Sequence, residues 1–196
     1  MPGANVLGMR LPGCFDSFET CCLIILQQDI GSISAANLAS YIACTYGQGI
    51  EGEDEICSFV WPLPSEMLEA KQRIAENERL EPVRKQMNVI LIVAQALEAG
   101  SMSFDPLGDI EHQKEMLLSI DGISEECAAN IILRVLCDPD ISWYADSPLI
   151  GAMREVGKDT TQAETENQKS VIEACHPYRS YTAVGLWYAR RANAQL

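Results

Sequence analysis

Between Glu81 and Ala99, the apolar residues Val83, Met87, Ile90, Leu91, Ala94 and Leu97 recur at helical spacing, and Gly100 stands where a helix-ending glycine belongs. A stripe of that length needs other helices to cover it. Similar spacing recurs along the chain, while the alternation of a half-buried strand is hard to find. Phe18, Cys21, Cys22 and Ile25 mark a helix over 15–28, with Asp16 or Ser17 as its cap and Gly31 as its end. Another is expected from Ser34 to about Tyr46, then an acidic loop, Glu51 to Glu55, and Trp61-Pro62-Leu63-Pro64, which reads as a linker before a helix opening at Ser65 or Glu66. The fold class is all-α.

Toward the carboxyl end, a short helix from about Asp109 to Ser119 leads through Asp121-Gly122-Ile123-Ser124 into a second, Glu125 to Cys137. Asp138-Pro139-Asp140 ends it. Asp146 or Ser147 caps a helix to Val156, Lys158 to Lys169 reads as a solvated one, and Pro177 opens the last, carrying Tyr178, Tyr181, Val184, Leu186, Trp187 and Tyr188.

The chain has 196 residues, 47% of them hydrophobic, enough for one substantial core or two small ones. The apolar run around Val89 to Val93 is far shorter than a bilayer span, so the protein is expected to be soluble and intracellular, in the cytoplasm, nucleoid or nucleus. Its eight cysteines show no CxxC pair, and His112 and His176 are far from any cysteine cluster, so the cysteines read as buried reduced thiols and no metal site is expected. Fourteen basic against 28 acidic residues leave a net charge of −14, which opposes nonspecific polyanion binding. From His176 onward there are no acids, while Arg179, Arg190 and Arg191 are present, so a local basic face survives.

On its own, the turn at Gly122 is either an ordinary antiparallel helix pair or a place where helix-terminal amides hold a phosphate oxygen. Asp146 reads locally as an N-cap. Several segments in order are more specific: Gly8-Met9-Arg10-Leu11-Pro12-Gly13 with Phe15 and Phe18-Glu19, Ile24-Ile25-Leu26-Gln27-Gln28, Leu118-Ser119-Ile120-Asp121-Gly122-Ile123, Asp146-Ser147-Pro148-Leu149, Pro177-Tyr178-Arg179-Ser180-Tyr181 and Leu186-Trp187-Tyr188. Together these resemble the helix-hairpin-helix DNA glycosylases, specifically their 3-methyladenine glycosylase II branch.

The resemblance implies two helical lobes with a cleft between them: a central lobe over 21–138, and a second made of 1–20 and 139–196. It implies a monofunctional glycosylase of base excision repair that flips alkylated purines such as 3-methyladenine out of double-stranded DNA and hydrolyses the N-glycosidic bond. It makes Asp146, 24 residues beyond Gly122, the essential carboxylate. Trp187 and Tyr188, which also read as core packing, become faces of a base pocket with Asn130. The DNA contacts it implies are Gly122, Ile123, Ser124, Gln28, Asp29, Arg179, Arg190 and Arg191, with Gln28 and Asp29 near the gap left by the flipped nucleotide. No organic cofactor is implied; hairpin carbonyls around Gly122 could hold a monovalent cation. The protein is expected to be a monomer without a membrane partner.

Departures from the family pattern are specific. Ser124 replaces the second hairpin glycine, Glu125 and Glu126 place charge where phosphate approaches, Asn130 replaces an aromatic, and Asp29 an apolar or amide side chain. Glu126 also stands where lyase-type relatives carry an amine, which implies base release without strand cleavage. The β-rich domain that precedes the Gly-Met-Arg segment in relatives is not in this sequence. Two rival readings follow: a DNA-binding but catalytically silent relative, and a helical interaction module in which Gly122 is a turn and Asp146 a cap.

Overall fold

The computed structural model describes residues 8, 10–50, 58–141, 173–182 and 184–185. The chain divides into two compact units, Cys14–Ile131 and Met1–Gly13 combined with Ile132–Leu196.

The Cys14–Ile131 unit starts with α1, Ser17–Tyr46, whose cap is Asp16: its carboxylate accepts the Glu19 N–H at 2.6 Å. The helix breaks at Gly31, with φ 72° and ψ 165°, so the two helices expected here are the two arms of α1. Gly31 supplies a left-handed φ that a side chain would oppose. By length and composition α1 could cross a bilayer, contrary to the short apolar runs expected. It is instead interrupted at Gly31, and Phe18, Cys21, Cys22, Ile24, Ile25 and Leu26 enter the core.

Two short strands, β1 Gln48–Gly49 and β2 Phe59–Val60, pair antiparallel, Gln48 opposite Val60. They follow no periodicity and were not expected. Trp61, read as part of a linker, is buried at 6% exposure. Pro64 occupies the first position of α2, Pro64–Glu69, one residue ahead of the expected start, and the Glu66 carboxylate accepts the Leu63 N–H at 2.8 Å. α3, Lys71–Glu76, follows.

The expected helix from Glu81 begins as a 3-10 turn, Glu78–Val83, and becomes α4 only at Arg84–Glu98. Asn77 sets that register: its side-chain Oδ1 accepts the Arg79 N–H, and its side-chain Nδ2 donates to the hydroxyls of Tyr41 and Tyr46, each at 2.8 Å. α4 packs against α1, α2 and α3, burying Met87, Val89, Ile90, Leu91, Val93 and Ala94. Each large apolar side chain buried there contributes about 1.5–3 kcal/mol.

α5, Ile110–Leu118, is capped by Asp109, which accepts the His112 N–H at 3.1 Å. After the hairpin comes α6, Glu125–Ile131, and the chain widens to a π-helical turn over Ile132–Leu136 before Cys137, at φ 55°, ends it. Cys21, Cys22 and Cys127 are buried free thiols, whereas Cys44 is exposed, a departure from uniform burial. Burial pushes the Cys127 thiol up to about 12, so it stays protonated and inert.

In the second unit, Ser180 N–H donates to the Pro139 carbonyl at 3.0 Å, and the buried Ser180 hydroxyl accepts the Ile141 N–H at 3.0 Å. The last helix, expected to open at Pro177, has its first helical residue at Arg179.

Candidate nucleic-acid interface

The hairpin joins α5 to α6 through Ser119–Ser124. Its geometry depends on Gly122, with φ 97°, where an added Cβ would stand 2.7 Å from Val89 Cγ2. Glycine is therefore required for conformation and for clearance. The Ile123 N–H closes the turn on the Ile120 carbonyl at 3.1 Å. Ser124, in place of the family's second glycine, caps α6: its hydroxyl accepts the Cys127 N–H at 3.1 Å. Ile123 points inward, 7% exposed, while Asp121, Glu125 and Glu126 are exposed. The two glutamates favour the start of α6 by roughly 0.3–1 kcal/mol each and oppose an approaching phosphate.

Gln28 reaches the hairpin from α1. Its Nε2 donates to the Gly122 carbonyl at 3.2 Å, while its Oε1 accepts the Ser124 N–H at 3.3 Å and the Ser124 hydroxyl at 3.0 Å. The next residue, Asp29, accepts a hydrogen bond from Gln86 Nε2 of α4, and Gln86 is buried. Both side chains expected beside the vacated nucleotide are thus bonded inside the unit, and Gln28 is a clamp that fixes the hairpin to α1. Gln86 was missed by sequence reasoning, although a glutamine beside Met87 on the core stripe was a visible signal. Asn130 is half-buried on α6.

A monovalent cation at the hairpin would share oxygens already committed, the Gly122 carbonyl to Gln28 and the Ile120 carbonyl to Ile123.

Arg179 is held by two carboxylates. Its Nε and one terminal nitrogen grip the two Asp140 carboxylate oxygens, each at 2.9 Å, its other terminal nitrogen meets Glu173 at 2.8 Å, and its side chain is 16% exposed. This bidentate guanidinium, paired with two carboxylates, ties Asp140 to the 173–182 segment. Asp146, Trp187, Tyr188, Arg190 and Arg191 lie outside the described residues.

Burial alone would push the Asp140 carboxyl up, but hydrogen bonds from the Arg179 side chain and N–H and from His176 outweigh it and hold the carboxyl below its usual range. Stability from such a group is complete above the unfolded pKa and disappears as pH falls through the folded one. Asp140→Asn should therefore lower the melting temperature at neutral pH, with a deficit that shrinks below about pH 4. Melts across that range check this; a deficit independent of pH would contradict it.

No family model matches the chain. It is 29% identical over 186 residues to DNA-3-methyladenine glycosylase 2 of Escherichia coli (strain K12), covering 95% of this chain and 62% of that protein. The DNA-3-methyladenine glycosylase of Bacillus subtilis (strain 168) is 22% identical over 193 residues, with 97% and 62% covered. The chain thus spans about 62% of the length of these curated relatives. A 3-methyladenine DNA glycosylase of Schizosaccharomyces pombe, solved with abasic DNA, superposes with a TM-score of 0.66 at 18% identity, over 94% of this chain and 85% of that one. The chain has the helix-hairpin-helix DNA glycosylase fold. The 3-methyladenine DNA glycosylase of Archaeoglobus fulgidus shares that glycosylase fold at a TM-score of 0.64 and 18% identity, covering 92% of this chain and 60% of that one.

Proposed function

We propose that this chain is the helical, base-releasing portion of a monofunctional DNA glycosylase of base excision repair, acting on alkylated purines such as 3-methyladenine in double-stranded DNA. The observation that carries the reading is the match along 95% of the chain to a relative named for that activity, with a hairpin whose glycine is both conformationally and sterically required. On this reading the protein works wherever DNA is kept.

The hairpin positions one strand through backbone contacts, which read no sequence. The acids around it and the net charge of −14 weaken binding to undamaged duplex, so retention has to come from the extruded base. A glycosidic bond inside the stack is out of reach, hence the base must leave it. As the C1′–N bond breaks, its electron pair moves to the purine and positive charge develops on the deoxyribose. The Asp146 carboxylate stabilises that charge and orients the water whose oxygen bonds to C1′, taking up the proton that this oxygen loses. The faces of Trp187 and Tyr188 hold the purine, more strongly when alkylation has made it cationic. Asn130, polar where an aromatic would stack, adds little to that attraction.

Glu126 offers no amine for a Schiff base. Incubation with a methylated duplex should release free purine, leave the strand unbroken, and give no covalent adduct on borohydride reduction. Duplex binding without base release would select the catalytically silent relative, and a trapped adduct would overturn the monofunctional mechanism.

A further inference from the structure

The chain as a whole carries a net charge of −14, yet the stretch from Lys71 to Lys85 holds five bases, Lys71, Arg73, Arg79, Arg84 and Lys85, against the acids Glu76, Glu78 and Glu81. Arg84 pairs with Glu81, and Gln72 donates to Glu76. Arg73 and Arg79 pair with no carboxylate among the described residues. Each is exposed and laid against a tyrosine ring, Arg79 with its Cζ 4.0 Å from the centre of Tyr41 and Arg73 with its Cζ 5.6 Å from that of Tyr46. Asn77 joins the two, since its Nδ2 donates to both phenolic oxygens at 2.8 Å. Tyr46 is buried and Tyr41 half-buried, so the rings are fixed and the guanidiniums lie on their outer side. A guanidinium against a ring face keeps its in-plane N–H donors available. Two held this way are pre-ordered for an oxyanion that accepts hydrogen bonds in pairs, as a phosphate group does.

This pair is built into the same unit as the hairpin. The 3-10 turn that bears Arg79 runs directly into α4, whose Gln86 bonds Asp29, the neighbour of the Gln28 that holds the hairpin. Tyr41 stands ten residues beyond Gly31 on the second arm of α1, about 15 Å along a helix. That is roughly the axial length of four to five base pairs. Glu125 and Glu126 leave the start of α6 short of positive charge, so a duplex gripped there gains from cations farther along its backbone. We infer that Arg73 and Arg79 form a second phosphodiester contact, which takes the backbone of double-stranded DNA several base pairs from the lesion. Such a contact reads no sequence, and the extruded base still decides which duplex is kept. The inference rests on the glycosylase reading above.

The test uses the full chain and a duplex with a central tetrahydrofuran abasic analogue, binding being followed by anisotropy over a range of salt concentrations. A second duplex carries uncharged methylphosphonate linkages in both flanks, beginning about four nucleotides from the analogue. Wild type should bind the second duplex on the order of tenfold more weakly than the first. The double variant Arg73→Gln/Arg79→Gln should bind the two alike, with a salt slope on the first smaller by about two than that of wild type. Arg73→Lys/Arg79→Lys, which keeps both charges, should retain most of that slope. A glutamine variant with the wild-type slope, or one that is weaker yet still tells the two duplexes apart as wild type does, would overturn the second contact and leave the glycosylase reading standing. A wild-type chain that binds neither duplex at low salt would overturn both.

Discussion

Gly122→Ala lowers the stability of the Cys14–Ile131 unit by about 2–5 kcal/mol, the sum of two separable costs. A left-handed backbone, here φ 97°, costs a residue with a Cβ roughly 1–2 kcal/mol. The new methyl also lands 2.7 Å from Val89 Cγ2, on a side chain only 6% exposed and therefore without room to retreat, and overpacking of this kind costs about 1–3 kcal/mol. Adding Val89→Ala relieves the second cost and not the first, so the double variant should be more stable than additivity predicts while remaining below Val89→Ala alone. Urea unfolding of the four proteins checks this. The same displacement moves the Gly122 carbonyl away from Gln28, so abasic-duplex affinity should fall with stability. A Gly122→Ala protein as stable as wild type would mean that the hairpin is not held as described.

What was legible in the sequence was what neighbouring residues decide. Asp16 and Asp109 cap the helices they precede, Gly31 breaks α1, and the stripe on α4 is buried because its spacing leaves it one apolar face. Distant partners decide the rest. Gln28 meets Ser124 across 96 positions, and Arg179 meets Asp140 across 39, so neither the clamp nor the ion pair has a local signal. The 3-10 turn before α4 depends on Asn77 reaching Tyr41 and Tyr46, and the π turn after α6 interrupts a periodicity that reads as uniform helix. The candidate site divides the same way. The turn at Gly122 could be read from the glycine itself, whereas the placing of Gln28 and Asp29 near the DNA gap came from resemblance, and their bonds to Ser124 and Gln86 had no local signal. The roles of Asp146, Trp187 and Tyr188 rest on the resemblance to the glycosylase family.

The second large effect is expected at Asp146. Asparagine keeps the shape of the side chain and removes its charge, so binding of the duplex and extrusion of the base should survive. What disappears, on the proposed mechanism, is the anion that stabilises the positive sugar, and the loss of one such electrostatic group costs about 10²–10³-fold in the chemical step. Because the charge on the sugar exists only in the transition state, the loss belongs in the rate constant and not in affinity. The direct measurement is single-turnover release of 3-methyladenine from a duplex, with wild type and Asp146→Asn compared at saturating protein. Release by wild type with a rate constant lower by two to three orders of magnitude in the variant, at matched binding, is the predicted result; equal rates would remove Asp146 from the mechanism.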